Sequence, residues 1–202
     1  MSIAVAPAVN LSGSTDFDPE RFADLMASEL TYVDGIEVIP VSRVLAVLQA
    51  QRVRSVQSAA HAWDIREALG ADAVLVCAVT EYDPYDPPSI GLEVQLFGLP
   101  PQAGDRLDPV AQSRRATFAA EPPPRPAGSP LARVQRTFDA GHAEVVAAVQ
   151  RFADRRGGDN HPFGWRRVVV SQREFIRFCC HEALTALMSG GNQESEDGIA
   201  EQ

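Results

Sequence analysis

The chain has 202 residues, 18 basic and 27 acidic, which gives a formal net charge of −9. Because phosphate contacts dominate nucleic-acid binding, this balance argues against a nucleic-acid-binding protein. No apolar run approaches the ~20 residues that cross a bilayer, so we expect a soluble chain that reaches a membrane only through an anchor upstream of Met1. The three cysteines, Cys77, Cys179 and Cys180, are too few for a disulfide framework.

The N-terminal residues predict a strand, a helix and a second strand, which is a βαβ unit. Residues 3–6 are apolar and end at Pro7, where a polar loop begins. Asp18 and Pro19 suit the N-cap and the first position of a helix that ends near residue 34. Residues 36–39 then form a short strand, which a right-handed crossover places parallel to the first.

Two helices and the centre of the sheet are predicted next. Ser42 is expected to cap the second helix and Ser58 the third, which ends at Gly70. The unbroken apolar run of residues 73–79 is typical of a central strand covered on both faces. The acidic, proline-rich residues that follow are expected to end it, and the alternation in residues 90–97 predicts a half-buried strand.

The C-terminal part is predicted to be mostly helical. Residues 111–119 would pair antiparallel with the preceding strand. Leu131, Phe138, Val145 and Phe152 repeat every seven residues, which predicts one long helix over residues 131–155. The last helix begins at a capping box, is apolar around most of its circumference and ends at residues 190–191. The capping box consists of Ser171 and Glu174.

Together these elements predict an α/β fold. A mixed sheet of about five strands would combine a parallel β-α-β core with an antiparallel meander, and helices would pack on it. We expect an α/β domain in residues 1–120, a stiff proline-rich connector in 121–130, a two-helix extension in 131–190 packed on the same domain, and a disordered acidic tail in 191–202.

Several short motifs, in their order, resemble the TolB N-terminal, CsgG and LpoB group of bacterial envelope domains. They are Ile-Ala-Val-Ala-Pro at 3–7, Asn-Leu-Ser-Gly at 10–13, Ala-Ser-Glu-Leu at 27–30, Ile-Glu-Val-Ile at 36–39 and Leu-Gly-Ala-Asp-Ala-Val at 69–74. The resemblance covers about residues 2–120. It implies an anticodon-binding-like α/β fold and non-enzymatic work on the periplasmic side of the envelope, often as lipoproteins that bind other proteins or self-associate. A cytoplasmic location is the alternative if Met1 is the true start.

One candidate ligand site is the polar loop that contains Asn10, Ser12 and Ser14. Loops between a strand and a helix often bind anions in α/β folds, but this loop lacks the Gly-Lys-Ser/Thr of a P-loop. Two interpretations stay open: a small-ligand site, or a loop whose side chains satisfy the ends of the helix and the strand.

Two segments are candidates for partner contacts. Tyr82 and Tyr85 are expected to be exposed in the acidic connector, and a second set lies in an aromatic turn: Phe163, Trp165, Arg166 and Arg167. Residues 131–180 hold nine of the 18 arginines and only five acids. This asymmetry fits either a helical face bonded to the acidic α/β half or a surface for an anionic partner, such as another subunit, an envelope polymer or a lipid surface.

The sequence offers no catalytic or metal-binding constellation. Cys179, Cys180 and His181 are consecutive on a helix and point about 100° apart, so they do not converge on one ion. The acids of residues 81–86 lack the ligand count of a calcium loop. We therefore expect no cofactor, no metal and no catalytic residue. The leading hypothesis is a non-catalytic envelope scaffold; the alternatives are a cytoplasmic sensor that binds a small ligand in residues 10–16 and a hydrolase whose triad comes from distant residues.

Overall fold

The computed structural model describes residues 1–98, 129–157 and 161–196, which form six strands and six helices around one mixed sheet. The strands are β1 (Ser2–Val5), β2 (Val9–Asn10), β3 (Glu37–Ile39), β4 (Ala73–Asp83), β5 (Ser89–Gly98) and β6 (Ala132–Asp139). The helices are α1 (Pro19–Leu30), α2 (Val41–Ala50), α3 (Ala59–Leu69), α4 (Ala143–Arg155), α5 (Arg166–Val170) and α6 (Gln172–Glu196). The predicted α/β fold is confirmed.

The sheet has the order β3-β1-β4-β5-β6, with β2 also paired to β4. The pairs among β3, β1 and β4 are parallel, and β4, β5 and β6 form an antiparallel meander. Pro7 separates β1 from β2 because proline has no N–H for the ladder. The chain nevertheless continues along β4: the Ala6 amide donates to the Leu75 carbonyl at 3.0 Å, and the Leu11 amide donates to that of Val79 at 2.8 Å.

Helices cover both faces of the sheet and create two cores. On the first face, α1 and α6 pack their buried side chains against Leu75 and Cys77 of β4. On the second face, α2 and α3 pack against Val74 of β4 and Phe97 of β5. Successive residues of β4 are therefore buried on opposite faces, as predicted for a central strand.

The predicted caps at Asp18, Ser58 and Gly70 are confirmed. Asp18 Oδ1 accepts hydrogen bonds from the Glu20 and Arg21 amides, at 3.0 and 3.1 Å. Ser58 caps α3, and Gly70 ends it in the left-handed conformation with a φ of 63°. The prediction that Ser42 caps α2 is wrong: α2 begins at Val41, directly after Pro40, and no side chain caps it.

The prediction of one long helix over residues 131–155 is wrong. The first part is strand β6, which pairs antiparallel with β5, and only Ala143–Arg155 is helical. Phe138 is buried in the first core, whereas the neighbouring Thr137 is exposed. Asp139 closes the turn between the two elements, since its Oδ1 accepts from the Gly141 amide at 2.7 Å. In the described residues, the extension thus begins with a strand of the sheet and contains three helices.

Three other element ends differ from prediction. Helix α1 does not extend to residue 34 but ends at Leu30. Strand β4 does not stop near residue 80 but continues to Asp83 through a bulge between Val79 and Glu81. Helix α6 does not stop at residues 190–191 but runs to Glu196. The predicted strand at 111–119, most of the connector at 121–130 and the end of the tail lie outside the described residues, so these elements and the domain division at residue 120 stay predictions.

Candidate functional site

The side chains of the polar loop after β2 bond to the loop itself. The Asn10 side-chain amide donates to the Ser14 carbonyl at 2.8 Å, and the Ser12 hydroxyl donates to Asn10 Oδ1 at 2.8 Å. The Ser14 hydroxyl accepts from the Asp16 amide at 3.3 Å. These bonds favour the interpretation of a self-satisfied loop over that of an anion site. A small-ligand site at Asn10, Ser12 and Ser14 stays a prediction.

The two tyrosines of the acidic segment lie in opposite environments. Tyr85 is 73% exposed, whereas Tyr82 is only 9% exposed, so the prediction that both are exposed is wrong for Tyr82. The reason is that β4 continues past its bulge and pairs Tyr82 with Ile90. The Tyr82 ring lies edge-on to Phe17 at 5.2 Å, its hydroxyl accepts from the Gln172 side chain, and burial raises its pKa.

The aromatic turn and α5 present a surface of apolar and arginine side chains. Phe163 is 70% exposed and Val170 is 80% exposed. Trp165 is half-buried, with the Arg166 guanidinium 5.1 Å from its ring. We call this surface, made of Phe163, Trp165, Arg166, Arg167 and Val170, the aromatic–arginine surface. The structure brings together the predicted contact residues 163–167 on one short segment, apart from Tyr85; their contact role stays a prediction.

A buried acid, Glu29, lies where the sequence predicted only core. It is the one charged residue that is buried in the described part of the chain. Arg156 Nη1 donates to Glu29 Oε1 at 3.0 Å, and Arg156 Nη2 donates to Oε2. Arg177 Nε also donates to Oε1, at 3.0 Å, and His181 Nδ1 lies 3.8 Å from Oε2. The Glu29 carboxylate of α1 thus binds two guanidiniums, that of Arg156 at the end of α4 and that of Arg177 in α6.

Two aromatic rings fix the orientation of the Arg156 guanidinium. Its central carbon lies 4.5 Å from the centroid of the Phe152 ring and 5.1 Å from that of the Tyr32 ring. Such cation–π contacts hold a guanidinium in place and favour its charged form. Burial by itself would lower the pKa of Arg177, but the hydrogen bond to Glu29 and the nearby carboxylates raise it.

These residues form one wall of an open groove of about 480 Å³ between the end of α1, the end of α4, α5 and α6. We call it the arginine groove; its lining residues are Tyr32, Phe152, Arg155, Arg156, Arg167, Glu174, Arg177 and His181. Burial and the charge of Arg155 lower the pKa of His181. Its imidazole is therefore neutral at pH 7, and the positive charge of the groove comes from guanidiniums.

Only part of this site was predictable from the sequence. The concentration of arginine in residues 131–180 was visible, and four of those arginines line the groove. Glu29 was missed, although a signal for it exists. It follows Phe22 by seven positions and Met26 by three, so it lies on the apolar stripe of α1, where an acid requires a buried partner.

Features of catalytic or metal sites are few in the described residues. No group of three or more histidine, cysteine or acidic side chains in these ranges is arranged to hold a metal ion. The three cysteines are free and buried; burial raises the pKa of Cys77 to about 12 and raises those of Cys179 and Cys180 as well. Among the described helices, none has both the length and the hydropathy of a membrane span.

Comparison with known proteins gives partial structural likenesses only. No family model and no curated protein matches the chain. A lipoprotein of Neisseria meningitidis, GNA1162, is 17% identical, with a TM-score of 0.47 over 79% of this chain and 99% of that one. The LpoB C-terminal domain of Escherichia coli is 11% identical, with a TM-score of 0.41 over 67% of this chain and 80% of that one.

The solution structure of Escherichia coli LpoB is 14% identical, with a TM-score of 0.42 over 47% of each chain. LpoB belongs to the group that the sequence motifs resemble, whereas the likeness to TolB and CsgG stays a prediction. Because these TM-scores are below 0.5, the likenesses transfer neither a family nor a role to this chain.

Proposed function

We propose that this chain is a non-catalytic scaffold protein of the bacterial cell envelope, which binds other envelope proteins or further copies of itself. The observation that carries the proposal is the aromatic–arginine surface, on which Phe163 and Val170 are 70% and 80% exposed. Aromatic and arginine side chains are enriched in protein–protein interfaces. Their exposure on one short segment supports a binding surface rather than a part of the core.

The segment that carries this surface is anchored to the core. Val168, in the middle of α5, is 2% exposed, and its amide donates to the Trp165 carbonyl at 2.9 Å. The Ser171 amide donates to the Arg167 carbonyl at 3.0 Å, where α5 meets α6. A surface that is already ordered loses less conformational entropy when it binds, which suits a scaffold.

The location rests on the motifs in residues 2–120 that resemble envelope domains. Their order along the chain, from Ile3 to Val74, supports the periplasmic side of the envelope. The strands and helices that carry these motifs form the parallel half of the sheet, from the edge strand β3 to the central strand β4, and part of its helical cover. These motifs therefore maintain the scaffold, while the C-terminal part presents the contact surface.

Site-specific photo-crosslinking tests this proposal. A photoreactive amino acid replaces Phe163 in the chain expressed in a bacterial host that naturally carries the gene, and the cells are irradiated and fractionated. We expect a discrete adduct in the envelope fraction. An adduct of about twice 21.8 kDa that contains only this chain indicates self-association, and an adduct that contains a second envelope protein indicates a scaffold for that protein.

The matched control places the same amino acid at Glu67, which is exposed on α3 beside the second core. We expect no discrete adduct there, and we expect V170S to weaken the adduct formed from position 163. A chain that fractionates with the cytoplasm, or that gives the same products from both positions, would contradict the proposal.

A further inference from the structure

The arginine groove concentrates positive charge in an acidic protein. Four guanidiniums line it, whereas the whole chain carries a net charge of −9. The lining contains one acid, Glu174, and Glu29 lies buried behind Arg156 and Arg177. Since like charges close together are unfavourable, a cluster that is not fully neutralised by its own protein is suited to an anionic ligand.

The two inner arginines are preorganised and still have donors to offer. Arg156 uses one N–H of each terminal nitrogen on Glu29, and Arg177 uses its Nε–H. Each guanidinium has five N–H donors, so most of them make no hydrogen bond within the described residues. Side chains that are already held in place lose little entropy when they bind a ligand.

The two outer arginines are held loosely. Arg155 Nη2 lies 3.8 Å from a Glu182 oxygen, and its side chain is 61% exposed. Arg167 Nη2 lies 3.7 Å from a Glu174 oxygen, and its side chain is 42% exposed. Both distances exceed hydrogen-bond length, and exposed ion pairs contribute little to stability. A ligand oxyanion can therefore replace these carboxylates at small cost.

The shape of the groove restricts the ligand further. A volume of about 480 Å³ suits a small molecule or a few units of a polymer. Arg155 lines the groove from α4 and Arg167 lines it from α5, so two separate anionic groups of one ligand can each bind a guanidinium. The Tyr32 ring, whose residue is 67% exposed, supplies an apolar surface beside them.

We infer that the arginine groove binds a small oxyanion that carries at least two phosphate or carboxylate groups, which Arg155 and Arg167 take by paired hydrogen bonds while Arg156 and Arg177 form the positive wall behind them. Guanidinium groups match the geometry of both kinds of oxyanion. This inference does not depend on the proposed scaffold function: it concerns the isolated chain, and of the four arginines of the groove only Arg167 also belongs to the aromatic–arginine surface.

Titration calorimetry of the purified full chain at constant ionic strength tests it. The probes are inorganic pyrophosphate, citrate and, as the monovalent comparison, acetate. We expect saturable binding of one molecule of pyrophosphate or citrate per chain and none of acetate. Tighter binding of pyrophosphate identifies phosphate as the source of the anionic groups, and tighter binding of citrate identifies carboxylate.

The variants separate a specific site from general attraction. R155Q/R167Q is expected to weaken binding at least tenfold; it changes exposed side chains and leaves Glu29 and its partners intact. Y32A is expected to weaken binding several-fold, because it removes the apolar surface of the groove together with one of the two rings that hold the Arg156 guanidinium. R43Q/R54Q removes the same charge from exposed positions beside the second core and is expected to change affinity less than twofold. No saturable binding of either probe, or an equal loss in R43Q/R54Q, would overturn the inference.

Discussion

Glu29 and Arg156 lie 127 positions apart in the chain, yet both terminal nitrogens of Arg156 bond to the two oxygens of the Glu29 carboxylate. The Glu29 side chain has no exposed surface, and Arg177 occupies one of the same oxygens. A charge removed from water in this way is stable only when it is paired and hydrogen-bonded. The contact therefore fixes α6 and the end of α4 against α1.

The first prediction concerns the charge of Glu29. E29Q keeps the shape of the side chain but leaves two guanidiniums without their anion. Removal of one partner of a buried pair costs roughly 3–5 kcal/mol, and the partial exposure of the arginines places the expected cost of E29Q at about 3 kcal/mol. Urea unfolding at pH 7, followed by circular dichroism, measures the change in the free energy of unfolding.

E67Q is the matched control for this experiment. It makes the same chemical change on the exposed face of α3, so we expect an effect within about 0.5 kcal/mol. If E29Q were as stable as E67Q, the ion pairs of Glu29 would not hold the helices together.

The second prediction concerns the pairing of β4 with β5. A Cβ at Gly98 would lie 2.6 Å from the Asp72 carbonyl oxygen and 2.7 Å from the Ala73 Cβ, so it would meet backbone atoms that cannot rotate away. We expect G98A to cost about 1–3 kcal/mol. At Gly91 the shortest contact, 2.5 Å, is to the Thr80 hydroxyl, which can move by side-chain rotation, and the Cβ and amide nitrogen of Glu81 lie at 3.1 and 3.2 Å, so we expect a smaller cost there. G91A is the comparison, and a G98A variant that unfolds at the same urea concentration as G91A would argue against this register.

The elements that the sequence predicted well are those whose signals are local. Asp18, Ser58 and Gly70 each act on backbone groups within three or four positions. The unbroken apolar run at the start of β4 likewise needs no knowledge of its partners to indicate a central strand. Such features depend on neighbours in the chain, so a single sequence suffices to predict them.

The prediction of one long helix over residues 131–155 failed because the seven-residue repeat of apolar residues spans two different elements. Phe138 is buried from a strand and Phe152 from a helix, and their spacing fits a helical repeat only by chance. Gly141 was the contrary signal, since glycine inside a helix costs about 1 kcal/mol relative to alanine. Pairing of this segment with β5 is a long-range contact that the segment's own residues do not specify.

The site was predictable only in its composition. The surplus of arginine after residue 131 indicated an anionic partner, either within the chain or outside it. The structure contains such partners in the α/β half of the chain: Glu29, which lies 127 and 148 positions from its two arginines, and Glu93, which lies 2.9 Å from Arg133. Tyr82 was misplaced for a similar reason, because its burial depends on Phe17 and Gln172 from distant elements.

The third prediction concerns pH and His181. Its pKa is lowered in the folded chain by burial and by the charge of Arg155, so the unfolded chain binds the proton more readily. Stability is then fully present above the ordinary histidine pKa of about 6.5 and is lost as the pH falls through that value towards the lower folded pKa. We expect H181Q to lose less stability than the wild type between pH 7.5 and pH 5.5, measured as the urea midpoint at each pH.

The control for this measurement is H142Q. His142 has 75% of its side chain exposed and lies 3.3 Å from Asp139. It precedes the first residue of α4, whereas the arginine groove lies at the other end of that helix. We expect H142Q to keep the wild-type dependence on pH. The same loss in H181Q as in the wild type would show that other groups determine the acid sensitivity.

The fourth prediction concerns the end of α6. Because the helix continues past Gly190 and a Cβ there would meet nothing within 4 Å, G190A should raise the free energy of unfolding by up to about 1 kcal/mol. G35A makes the same change at a φ of 79° and should lower it by about 1–2 kcal/mol, since only glycine adopts that conformation without strain. Thermal unfolding followed by circular dichroism compares the two. A lower midpoint for G190A would mean that α6 ends at this glycine, as the sequence pattern predicted.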